Sequence, residues 1–211
     1  MQRTALTALV SLLVVSAGCT GLITGETVEF DASPATVDEA TLSSTGYEGG
    51  NATAQTITRN VSVGGQERTV RITNQVAQYT RDGSVAGVEV SDISTFILLS
   101  TPGAEMAGQT LNPAASWSNR RIVDEVAQRG GNVEDVQFEE NRTVQSLGES
   151  RELGVFSGTT EMSGREVDVR IHIANFEHEG DVLIAVGVHP TRIDERENID
   201  ELMGGIEHSG D

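Results

Sequence analysis

The sequence predicts an α+β fold, a large antiparallel sheet with two or three helices packed on its apolar face. Three observations carry that expectation. Runs rich in Val, Ile and Thr fill most of 52–189. Glycine-bearing turns separate these runs. A 3.6-residue apolar period is clear in only two segments, near 118–130 and 194–206.

The N-terminus comes before this pattern. Arg3 is a short positive region, Ala5 to Val15 an apolar one, and Ser16-Ala17-Gly18 a small-residue ending. Cys19, the single cysteine of the 211 residues, follows directly. The order resembles a lipobox, so residues 1–18 read as a signal peptide, Cys19 as the lipidated residue and 19–26 as a tether. Ser16 departs from the aliphatic residue usual three places before such a cysteine. Two other fates stay open: cleavage before Gly18 by ordinary signal peptidase, and retention as a weak anchor. Ala5 to Val15 is far shorter than the roughly 20 apolar residues a membrane span needs.

The elements then follow in order. Thr27 to Asp31 reads as a short strand, and Ser33-Pro34 as the start of a helix reaching Ser44 before Gly46. Ala52–Val63 and Gln66–Gln78 flank Gly64-Gly65, a hairpin signature. Val85 to Leu99 is a further strand, ended by Pro102. Ser118 caps a helix whose buried stripe is Ile122, Val123 and Val126, with Trp117 as a staple and Gly130 as the stop. Four strands form a meander at about 135–146, 151–162, 165–176 and 182–189, turning at Gly148, Gly164 and Gly180. In the third, Val167, Val169, Ile171 and Ile173 face the core, while Glu166, Asp168, Arg170 and His172 face water. The fourth is apolar throughout from Val182 to Val188, which suits a central strand. Asp194 and Glu197 have capping-box spacing before a last helix with Ile199, Leu202, Met203 and Ile206 on one face. Residues 27–211 are expected to form one domain.

Composition bounds the function. There are 32 acidic and 14 basic residues, a net charge of −18, and every basic residue is arginine. Such acidity disfavours nucleic acid, whose phosphates need clustered cations. It suits brine, where the Debye length falls to roughly 3 Å and surface repulsion is screened. The quoted lipobox, Phe30-Asp31-Ala32-Ser33-Pro34, Leu99-Ser100-Thr101-Pro102, Leu111-Asn112-Pro113, Phe156-Ser157-Gly158 and Ile184 to Pro190 together resemble an uncharacterised family of haloarchaeal surface lipoproteins. That resemblance implies habitat and a location at the cell membrane, facing outward. It implies no catalytic residues.

No catalytic residue, metal ligand or cofactor is expected. G-x-S-x-G, H-E-x-x-H, the P-loop and the dinucleotide fingerprint are all missing from the sequence. The four histidines show no i, i+3 or i+4 pairing, and Glu177-His178-Glu179 reads as a solvated hairpin tip. Sequons at Asn51, Asn60 and Asn141 are candidate N-glycosylation sites, Asn51 and Asn141 lying near expected loops. The leading expectation is a lipid-anchored extracytoplasmic binding or envelope-interaction domain of a halophilic archaeon. Its partner would be an envelope protein or a small apolar ligand held between sheet and helices. The alternatives are a cell-surface hydrolase with dispersed acidic residues and a structural envelope component.

Replacing Cys19 by Ser should move the protein from the membrane fraction to soluble or unprocessed forms. Intact-mass analysis of the native protein decides the matter, because a mature N-terminus without added lipid rules the anchor out.

Overall fold

The computed structural model describes residues 27–63, 65–85, 88–106, 108–128, 133–162 and 164–210. Residues 1–26, which carry the expected leader, Cys19 and the tether, lie outside them, as do Gly64 and Gly130.

Nine strands form one large sheet. Its main path runs β1 (Val28–Asp31), β5 (Gln66–Val85), β6 (Val88–Pro102), β12 (Asp181–Pro190), β11 (Arg165–His178), β10 (Glu149–Met162) and β9 (Val133–Ser146). β3 (Glu48–Gly49) and β4 (Thr53–Val63) also pair with β5. The sheet is mixed rather than purely antiparallel: β1 runs parallel to β5, with Phe30 beside Ile72. β4 pairs antiparallel with β5, and the four-strand meander forms as expected. At the last turn Glu179 and Gly180 both adopt positive φ, 47° and 89°, the geometry of a tight two-residue hairpin.

β12 lies at the centre of the path and is buried on both faces. Leu183 and Ala185 join one apolar cluster with Phe96, Leu98 and Leu153. Val182 and Ile184 join another with Phe156, Ile171 and Ile173. Each face has its own cover. On the first lie α3 (Arg196–Gly204), through Ile199, Leu202 and Met203, and a small sheet of β2 (Ala35–Val37) with β13 (Ile206–His208). Also on this side, α1 (Glu39–Thr45) sets Leu42 against the same cluster. On the second face lies α2 (Asn119–Gln128), through Ile122 and Val123, preceded by a 3₁₀ turn at Pro113–Ser116. The expected single covered face is thus two, because a central strand that is apolar on both sides cannot leave either one wet.

Four local expectations are corrected. The first helix starts later than Ser33-Pro34. Asp38 is its N-cap, accepting from the Thr41 amide at 2.9 Å, and Gly46 closes it at φ 70°. Residues 35–37 form β2 instead, because Ala35 and Val37 fit an alternating buried edge. The last helix has no capping box: Glu195 is its N-cap and makes no side-chain cap bond. Ile206 is buried, but in β13 rather than on the helix. Ser118 does cap α2, accepting from the Arg121 amide at 3.3 Å. Val126, however, is 46% exposed and leaves the buried stripe.

Gly187 lets α3 close onto β12. A Cβ there would meet Ile199 Cδ1 at 2.5 Å.

Ile171 is buried in the cluster beneath α2. Ile171→Asp should abolish the cooperative thermal transition, since an unpaired carboxylate would be buried there. Glu166→Gln, on the exposed part of the same strand, should shift stability by less than about 0.5 kcal/mol.

Candidate functional site

An apolar groove of about 710 Å³ opens between the sheet and the segment leading into α2. Its floor is Ile57 and Ile72 from paired β4 and β5, then Leu99 beside Ile184 and Ile97 beside Val186. Its roof is Leu111, Pro113, Trp117, Ile122 and Val126. At the mouth, Ile57 is 54% exposed.

Side-chain amides hold the roof in place. Asn112 donates to the Pro102 carbonyl at 2.9 Å and to Thr101 Oγ1 at 3.2 Å, and its Oδ1 caps the 3₁₀ turn at Ala114 N. Asn175, on β11, donates to the carbonyls of Trp117 and Ala114 at 2.8 and 3.0 Å. Arg59 donates to the Leu111 carbonyl. Inside the groove, Asn74 Oδ1 is enclosed and has no hydrogen-bond partner. The groove can take an apolar body and offer one acceptor to a donor on it.

A second cleft, of about 380 Å³, opens on the opposite face beside α3. His172 and His189 stack there, with rings inclined by 20° and Nε2 atoms 3.0 Å apart. The expectation that His172 faces water is wrong: it is 2% exposed. Arg170 and Asp168 precede it on a polar face, but at His172 that face passes under α3 and the 191–196 loop.

The proton positions follow from the partners. His189 Nδ1 lies 3.0 Å from the Pro190 carbonyl, which only accepts, so Nδ1 carries the proton. His189 Nε2 therefore accepts from His172 Nε2–H. His172 Nδ1 is then an acceptor and faces Arg142 Nη2 at 3.5 Å. Burial pushes the His172 pKa down to about 3, helped by His189 and by the charges of Arg142, Arg170 and Arg196. Burial also lowers that of His189. Both rings are neutral, and all four nitrogens are engaged. The carboxylates around them are held too: Glu139 by Arg170 and Glu140 by Arg196, at 3.0 and 3.1 Å, and Asp200 by Arg142. The two rings form a relay, and Asp194, which also lines the cleft, accepts from the Arg196 amide at 3.2 Å.

The other two histidines also meet. His178 is half-buried, and its Nδ1 lies 3.0 Å from His208 Nδ1. The solvated hairpin tip is therefore corrected: β13 packs against it. His178 and His208 lie 30 positions apart on non-consecutive strands, so no local spacing could announce that pair, whereas His172 and His189 lie on the two strands of one hairpin. Glu195, just before the last helix, is fully buried. It is bonded by Arg81, by Tyr47 Oη at 3.1 Å and by Asn198 Nδ2 at 3.0 Å.

Of the candidate modification residues, Asn51 lies exposed in the loop between β3 and β4. Asn60 is exposed within β4 and accepts from Thr69 Oγ1 at 3.1 Å. Asn141 is exposed within β9, not in a loop. Cys19 lies outside the described residues. Among the described residues no helix is long and apolar enough to cross a membrane.

Comparison with known proteins gives one family match: a domain of unknown function, DUF6517, over residues 34–207. No curated protein matches the chain.

The His172 relay sets a pH dependence. Its folded pKa lies below the ordinary value of about 6.5, so its contribution to stability is complete above that pH. The contribution is lost as pH falls toward about 3. His172→Gln should destabilise the fold by about 1–3 kcal/mol at neutral pH. The gap between variant and parent should narrow as pH drops through that window. Paired thermal melts across pH check this, and a gap independent of pH would refute the neutral relay.

Proposed function

The chain belongs to this family of unknown function, and we propose that it is a lipid-anchored, extracytoplasmic binding domain that holds a small apolar ligand. The groove between the sheet and α2 carries this reading. Its walls are mostly aliphatic and aromatic, its mouth leaves Ile57 and Val126 partly in water, and three side chains brace its roof. Concave, mostly apolar grooves with a few placed polar groups are the usual form of small-molecule sites. A ligand with an extended aliphatic body and one hydroxyl would fill the groove and donate to Asn74 Oδ1. Anchoring through Cys19, outward orientation and a halophilic source rest on the leader and the acid-rich composition.

The hydrolase alternative has less support. Acids and histidines do converge in the cleft by α3, but Glu139 and Glu140 there are paired with arginines and the rings with each other. An envelope-protein partner is favoured by one observation. Phe138, on the edge strand β9, is 53% exposed and packs edge-on against Phe156 with centroids 5.6 Å apart.

Trp117 is the single tryptophan of the chain and lines the groove, so its emission reports occupancy. Titration with a long-chain alcohol should shift that emission saturably. Val126→Glu should weaken binding about tenfold, matching the loss of roughly 1.5 kcal/mol of apolar burial. An emission spectrum unchanged up to the solubility limit would count against the groove as a ligand site.

A further inference from the structure

We propose that His178, Glu179 and His208 form a zinc-type divalent metal site that clasps β13 to the tip of the β11–β12 hairpin. The ligand atoms of these three residues all lie within 4.8 Å of one another. The two imidazoles meet edge-on, with rings inclined by 69° and Nδ1 atoms 3.0 Å apart. Two nitrogens bound to one tetrahedral zinc at about 2.0–2.1 Å are separated by only a few tenths of an ångström more. The ion therefore fits with a small outward movement of the half-buried His178.

The residues behind the ligands are those a metal centre uses. His208 Nε2 lies 3.0 Å from Asp181 Oδ2. A carboxylate only accepts, so Nε2 carries the proton and the Nδ1 lone pair points toward His178. This is the carboxylate–histidine–metal arrangement, which fixes the ring and raises its basicity. Asp181 is buried and held in turn by the Ser33 amide at 2.8 Å and Ser100 Oγ at 3.2 Å. Glu179 Oε2 accepts from the Gly210 amide, which leaves Oε1 for the ion. Without an ion, the contact between the two Nδ1 atoms needs a proton on His178 Nδ1. With one, that proton moves to His178 Nε2, and both rings stay neutral. Glu179 and Asp181 together balance a divalent charge.

The donor set selects the metal class. Two imidazoles and one carboxylate suit zinc and its borderline neighbours, whereas magnesium and calcium prefer oxygen alone. Three protein ligands leave a fourth position for water, toward the shallow cleft lined by Asp31, Glu105 and Glu179.

The test is calorimetric titration of chelator-treated full chain with zinc chloride. Molar potassium chloride and excess magnesium suppress loose binding to surface acids. One equivalent of zinc should bind with micromolar affinity or better and should raise the melting temperature. His178→Gln and Glu179→Gln should each weaken binding at least tenfold while retaining the native circular dichroism. Glu177→Gln, an exposed neighbour outside the cluster, should leave it unchanged. No zinc uptake would mean that the histidines are only a hydrogen-bonded relay to Asp181, and would overturn the proposal. So would uptake that survives both ligand variants.

Discussion

β12 has no wet face, and the rest of the architecture answers that constraint. Its residues alternate between two apolar clusters, Leu183 and Ala185 in one, Val182 and Ile184 in the other. A sheet built around such a strand has to be covered twice. That requirement explains why the short helices lie on opposite sides, and why a three-residue strand at each end of the folded chain is recruited as cover. β2 and β13 pair through Val37 and Ile206 above the first cluster. Neither could be stable alone, since two short strands bury too little surface.

Covering both faces forces polar groups inside, and three of them are met by partners from other elements. Asp181 opens β12 and takes bonds from Ser33, Ser100 and His208, which lie before β2, on β6 and on β13. His189 stands near its other end and joins His172 on β11. Glu195, just before α3, is bonded from β5 by Arg81 and from the end of α1 by Tyr47. An unpaired charge at any of these places would cost several kcal/mol. The cover layer therefore has a single position in which these partners meet, and the clasps set register where the apolar contacts alone are permissive.

Much of this was legible in the sequence because it is local. Gly148, Gly164 and Gly180 mark hairpins whose registers are short-range, and the unbroken apolar run of β12 announces a central strand. Ser118 and Trp117 mark the start of α2 by their spacing to Ile122. What could not be read depends on which strand face ends up beneath which helix. Alternation placed His172 with Asp168 and Arg170 on a polar face, which is correct for the strand. It could not say that α3 would cover one end of that face and not the other. The pairing of His178 with His208 spans 30 positions, and Glu195 looks like any other acid in an acid-rich chain. The groove was expected only as a space between sheet and helices. Its walls depend on how the loop from 111 to 117 folds back, which Asn112 and Asn175 decide by bonds to distant carbonyls.

The composition and the groove have one physical logic. A surface at −18 with arginine as its only strong cation is poorly suited to recognising partners by charge in brine, where attraction fades beyond roughly 3 Å. Arginine pairs survive there as contacts, because the guanidinium bonds at short range and in a fixed plane. Arg170–Glu139 and Arg196–Glu140 are used in this way, to fasten the molecule to itself. Apolar burial is not screened by salt. An apolar face such as the groove above Leu99 and Ile184 therefore keeps its attraction at salt concentrations where charge recognition is lost.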